Sequence, residues 1–279
     1  MSQFKSVAVS DYHPFAFIVA LWRNRNLLKQ FTLRNVELRH KGSRLGLIWS
    51  VLNPLLMLGL YVFVFGYIQR GHFGILPNET RLDYALGIFV GLIVFHLFAE
   101  VLATAPTVIM ANPNFVKKVV FPLEVLPAAS VGASLIHMLG SLTLALIGIA
   151  ALGPGLTANV FWVPIILFPL LLLLLGMAWF FAAVGVFFRD ISQIVSLLSM
   201  GLMFASAVFY SANTLPPTAW SILRFNPMLL AIELMRDATM WDQPMKFFHL
   251  AYLMAFGSVA AVIGYCCFRK MAPAFADVL

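Results

Sequence analysis

Six stretches of the chain are long, apolar and almost free of charge: residues 45–68, 84–110, 123–152, 160–188, 194–210 and 247–268. Each is read as a transmembrane helix, since uncharged runs of about 17 to 25 residues match the hydrocarbon layer. The first of them reaches roughly 36 Å at about 1.5 Å per residue. Before it, Phe17, Ile18, Leu21 and Trp22 fall at helical spacing, Arg23 and Arg25 interrupt, and Leu27, Leu28, Phe31 and Leu38 form a second stripe. That pattern predicts an amphipathic helix, either lying in the cytoplasmic membrane interface or packed as a solvated helix on a partner. Gly153-Pro154-Gly155 is a tight turn. The longer segment 211–246 carries apolar residues over 220–225 and 229–240, which suit short helices re-entering the outer leaflet better than a solvated linker. The predicted fold is therefore an all-α polytopic membrane protein, with a cytoplasmic N-terminal region over 1–44 and a six-span domain over 45–279.

Charge gives the orientation. On the side that holds both termini the flanks and loops carry 13 Lys and Arg, against 5 on the other, so both termini are expected in the cytoplasm. Residues 1–12 contain no continuous apolar stretch, which argues against a cleavable signal peptide and leaves insertion to the first span. The chain is 62% hydrophobic and 10% charged, far below the roughly 25% charged of soluble domains. Its net charge of +7 sits at helix flanks and forms no basic domain, so nucleic acid is not an expected partner. Cys266 and Cys267 are adjacent and make no disulfide framework.

Catalytic signatures are missing. No G-x-x-x-x-G-K-[ST] occurs, so the chain is not itself an ATPase, and no H-E-x-x-H, paired CxxC or G-x-S-x-G marks a metal or nucleophile site. Neither enzyme activity nor a cofactor or metal is expected in this chain. An intramembrane enzyme would need ionisable groups in the spans, and there are few. His96 and Glu100 are four residues apart in the second span and share a helical face. They are either a functional pair or a structural polar clasp. His137 reads as a helix-packing hydrogen bond, and Gly87 with Gly91 as a GxxxG face for close helix approach.

Three motifs carry a resemblance. Residues 39–54 (RHKGSRLGLIWSVLNP), 112–122 (NPNFVKKVVFP) and 226–236 (NPMLLAIELMR) resemble, in order and separation, membrane subunits of ATP-binding-cassette exporters of O-antigen, capsule and teichoic-acid polysaccharides. The resemblance implies the permease subunit of an exporter of a lipid-linked polysaccharide in the bacterial inner membrane. It also implies a homodimer served by two copies of a cytoplasmic ATPase, which would bind the ATP and magnesium. A small-molecule or drug exporter permease is the alternative. On this likeness Asn112, Phe115, Lys117, Lys118 and Phe121 form the element that couples to the ATPase. Arg39, Lys41 and Arg44 meet the phosphates of the carrier headgroup. Trp49, Tyr61, Phe63 and Tyr67 of the first span, with Phe204, Phe209 and Tyr210 of the fifth, line a glycan channel in which ring faces meet the C–H surfaces of sugars. Without the likeness the lysines read rather as positive-inside anchors, and the rings as an interfacial belt near the span ends and as packing residues in the middle.

Overall fold

The computed structural model describes residues 16–40, 48–68, 71–117 and 121–279, and among them all regular structure is helical. The order is α1 (Ala16–Arg23), α2 (Arg25–His40), α3 (Trp49–Tyr61, continued as a π-helix Val62–Ile68), α4 (Arg81–Thr104) and α5 (Pro113–Lys117). There follow α6 (Val125–Leu152), α7 (Val163–Phe187), α8 (Ile191–Ala205), α9 (Pro217–Leu223), α10 (Pro227–Arg236, continued as a π-helix Asp237–Trp241), α11 (Phe247–Met271) and α12 (Phe275–Val278).

Helix α4 is the hub. Its start is fixed by a capping box: Asp83 N donates to Thr80 Oγ1 at 3.1 Å, and Thr80 N donates to the Asp83 carboxylate at 2.9 Å. From Asp83 to Leu102 nearly every residue is buried, with α6, α8, α10 and the π-helix Val62–Ile68 around it. Lipid competes on equal terms for apolar side chains, so such a helix is held by close packing and polar contacts rather than by escape from water.

Close packing is plainest between α7 and α11. A Cβ on Gly176 would stand 2.2 Å from the Ala260 carbonyl oxygen, and one on Gly257 2.3 Å from that of Pro169. The two backbones touch because these positions have no side chain. Trp179 is fully buried beside them and donates through Nε1 to the Glu124 carbonyl at 3.0 Å.

Loops and helix ends gather at two poles. One pole joins Leu76–Asp83 to the turn at Gly153, and Asn159 to Asp242 at 2.7 Å. The other joins Phe31 of α2 to Phe115 and Phe121, and Phe187 to Phe275.

Among the described residues, four helical segments are long and apolar enough to cross a membrane: Arg81–Thr107, Val125–Leu152, Ala158–Phe187 and Phe247–Val278. The shorter apolar helices Leu52–Phe65 and Ile191–Ala205 stand where the sequence pattern places the first and fifth spans. Helix α8 has 15 residues, about 22 Å, short of the roughly 30 Å core. It ends because Ala207 turns to φ 54°, a left-handed backbone that no helix continues through. In segment 211–246 the expected short helices are α9 and α10, and the latter is buried through Trp241.

Candidate functional site

At the pole that brings Phe31 to Phe115 and Phe121, the predicted coupling segment forms a helix of one turn and a half, α5, with Pro113 at its start. Asn112 anchors it by donating from Nδ2 to the Val108 carbonyl at 2.8 Å. Phe115 and Phe121 are engaged within the chain. Their rings are 4.8 Å apart, and Phe31 of α2 closes a triad at 5.2 and 5.1 Å. All three are half-buried. The surface that α5 leaves exposed is Pro113, Asn114 and Lys117, while Lys118 lies outside the described residues.

Helix α2 runs along α6, with Thr32 filling the notch at Gly132: a Cβ there would lie 2.8 Å from Thr32 Oγ1. Further along, Arg39 reaches the Glu100 carboxylate and the His137 ring. Ser134 Oγ donates to Glu100 at 2.7 Å and His137 Nδ1 lies 3.6 Å from it. Glu100 takes its hydrogen-bond partners from α2 and α6, while His96, one turn before it on the same face of α4, is exposed on the strip that also bears Thr104. Thr104 meets Ser130 at 2.9 Å, so hydroxyls and the Arg39–Glu100 pair form one polar strip between α4 and α6. Arg39 is half-exposed but already paired, and Lys41 and Arg44 lie outside the described residues.

The aromatic candidates separate into two groups. Tyr61 lies 6.5 Å from Phe209, and Phe204 6.0 Å from Phe209, so α3 and the end of α8 do meet through rings. The closest contact of that seam is made by Phe65, stacked on Phe209 at 5.1 Å and 20°, a residue absent from the sequence candidates although it lies four positions after Tyr61. Tyr210 folds back and donates to the Phe204 carbonyl at 2.7 Å. Phe63 and Tyr67 project outward, the latter beneath Arg81 at 5.4 Å, and Trp49 is half-buried at the start of α3.

The residue most deeply engaged was given no role by the sequence pattern. Arg236 is fully buried and donates from Nε to the Gly87 carbonyl at 2.8 Å, from Nη1 to that of Ala207 at 2.7 Å and from Nη2 to that of Val208. Glu233 lies 3.6 Å away, and the rings of Phe73 and Trp241 stand at 4.5 and 5.7 Å. Arg236 lies outside the four long helices, and burial draws its guanidinium down to about 10, so it remains a cation at neutral pH. The two glycines of the GxxxG face of α4 admit side chains: Gly87 makes room for Phe73, and Gly91 for Arg236 and Ile232 of α10, with Arg236 Nη2 2.4 Å from an added Cβ. Among the described residues no cluster of His, Cys, Asp and Glu is arranged to hold a metal.

Comparison with known proteins follows the same outline. The family model described as ABC-2 type transporter matches residues 26–240. The chain is 29% identical to the O-antigen export system permease protein RfbA of Klebsiella pneumoniae over 91% of its own length and 95% of that protein. It is 32% identical to the RfbA of Myxococcus xanthus over 75% of its length and 78% of that protein. It is 28% identical to the polysialic acid transport protein KpsM of Escherichia coli over 85% and 90%.

Proposed function

The chain belongs to the ABC-2 type transporter family, and from that premise we propose that it is the permease subunit of an exporter of a lipid-linked polysaccharide, driven by ATP hydrolysis in a separate subunit of the bacterial inner membrane. The observation that carries the reading is the aromatic seam: Tyr61 and Phe65 of α3 meet Phe209, just past the end of α8, and Phe209 in turn meets Phe204 of α8. Ring faces offer a sugar's C–H surface broad contact without fixed hydrogen bonds, which lets a long polymer slide. Relatives named for O-antigen export and polysialic acid transport support the same substrate class.

The other parts take their roles from where they sit. Exposed apolar side chains of α3 and α8, among them Leu56, Leu60, Leu197 and Met200, offer the face for a second copy, so that two seams border one path. Arg39, with Lys41 and Arg44 following it in sequence, meets the carrier phosphates, and Glu100 holds Arg39 until a phosphate competes for it. Segment 112–121 takes up the ATPase motion and hands it to α2 through the Phe31–Phe115–Phe121 triad. Both termini lie in the cytoplasm.

Deletion of the gene in its own host tests the reading. Surface polysaccharide is lost and lipid-linked polymer accumulates inside, and the wild-type gene restores both. A deletion strain with normal surface polysaccharide and a new sensitivity to a small toxic compound would assign the chain to a drug exporter.

A further inference from the structure

Beyond Ala205 the chain leaves helical geometry, yet its carbonyls are not left to pair at random. Asn226 Nδ2 donates to the Ala205 carbonyl at 3.0 Å and meets Ser206 Oγ at 3.1 Å. Arg236 takes the carbonyls of Ala207 and Val208, and Tyr84 Oη donates to that of Phe209 at 3.0 Å. Asn226 also caps α10 by accepting from Met228 N at 3.0 Å, and Arg236 closes the same helix, so one short element supplies both ends of the grip. The gripped segment includes Ala207 at φ 54°, which alanine seldom adopts and which persists where surroundings over-determine it. The last residue so held is Phe209, the ring at the centre of the seam with Phe65.

We propose that Arg236, with Asn226 and Tyr84, is a positioning clamp that holds Phe209 across the seam between α3 and α8 and thereby sets the closed state of the substrate path. The clamp rests on the reading of that seam as part of the path. Its chemistry explains why arginine stands there. A planar fork bonds carbonyls of α4 and of the segment after α8 at once, which a single ammonium on a flexible stem does not. Letting go of Ala207 and Val208 would leave a buried cation short of two acceptors, so the grip favours two distinct arrangements rather than a gradual slackening. Phe209 is then either seated or released.

The test uses the whole transporter, this chain with its ATPase, in proteoliposomes loaded with carboxyfluorescein, and reads passive dye efflux without ATP. Wild type is tight and Phe209→Ala leaks. Arg236→Gln raises efflux about tenfold, the population change that goes with one lost charged hydrogen bond. The double variant Arg236→Gln/Phe209→Ala leaks no more than Phe209→Ala, since both act through one ring. Tyr84→Phe keeps the ring that packs on Phe73 at 4.9 Å and removes only the bond to Phe209, so it also leaks, to a smaller degree, and it decides the matter if Arg236→Gln fails to fold. Wild-type tightness in Arg236→Gln or in Tyr84→Phe, additive leaks in the double variant, or a tight Phe209→Ala would each overturn the clamp. The assay needs no glycan, so the deletion phenotype above stands or falls apart from it.

Discussion

A single methyl group at Gly264 should cost this protein more stability than most core substitutions. The Cβ of Gly264→Ala would lie 2.0 Å from the Gly176 carbonyl oxygen, 2.6 Å from its carbon and 2.8 Å from its Cα, and ordinary contact begins at 3.4 Å. The oxygen must therefore retreat by the difference, about 1.4 Å, and because every atom met is backbone no side chain can turn aside. Overpacking of this kind costs about 1–3 kcal/mol, and the upper end applies here because separating α7 from α11 also opens the contacts at Gly257 and Ala260. For a chain of this size that lowers the melting temperature by about 6–12 °C, taking roughly 2–4 °C per kcal/mol. Thermal unfolding in detergent, followed by tryptophan fluorescence, reads the change directly, because Trp179 sits at this interface 5.1 Å from Tyr265. Gly140→Ala on α6 is the control: no atom lies within 4 Å of its added methyl, so it should hold or gain about 0.5–1 kcal/mol through the helix backbone. Equal melting of the two variants would refute the backbone contact between α7 and α11.

Three further outcomes follow from the site. Thr32→Cys with Gly132→Cys, in a chain with Cys266 and Cys267 replaced, should crosslink readily, since the Cβ positions stand 3.5 Å apart; adding Glu100→Gln should lower that yield severalfold by freeing Arg39 and loosening α2, at a cost near 1 kcal/mol for so exposed an arginine, and an unchanged yield would remove Glu100 as the anchor. Phe31→Ala and Phe115→Ala should weaken co-purification of the ATPase alike, with Lys117→Gln doing less; an effect confined to Phe115 would mean that its ring meets the partner and not α2. Cysteines placed at Asn78 and Asn213 should label only from outside and one at Asn114 only from inside, and the reverse pattern would invert the topology.

Hydropathy was a sufficient guide wherever a helix is long and its environment uniform, which is why α4, α6, α7 and α11 were legible as spans. It missed the early end of α8 because nothing in the apolar run at Ala205–Tyr210 announces a left-handed alanine. Spacing along one helix suggested His96 as the partner of Glu100, but the groups that hold Glu100 come from α2 and α6, and no local pattern reports a contact across 61 residues. Arg236 counted as one more basic residue of an outer loop, when its charge is wholly enclosed by carbonyls and rings. The small residues joining α7 to α11 were detectable: Gly257 with Ala261, and Ala260 with Gly264, each recur at four-residue spacing. Phe65 likewise stood in view within the first span.

Conduction of the polymer is measured in inverted inner-membrane vesicles containing this chain and its ATPase, supplied with radiolabelled lipid-linked polysaccharide from the same host. Addition of ATP should carry the glycan into the vesicle lumen, protected from an added glycosidase, with no transport when Phe65 and Phe209 are both replaced by Asp and the complex stays assembled. Glycan that remains accessible to the glycosidase in the presence of ATP and an assembled, ATP-hydrolysing wild-type complex would contradict the account.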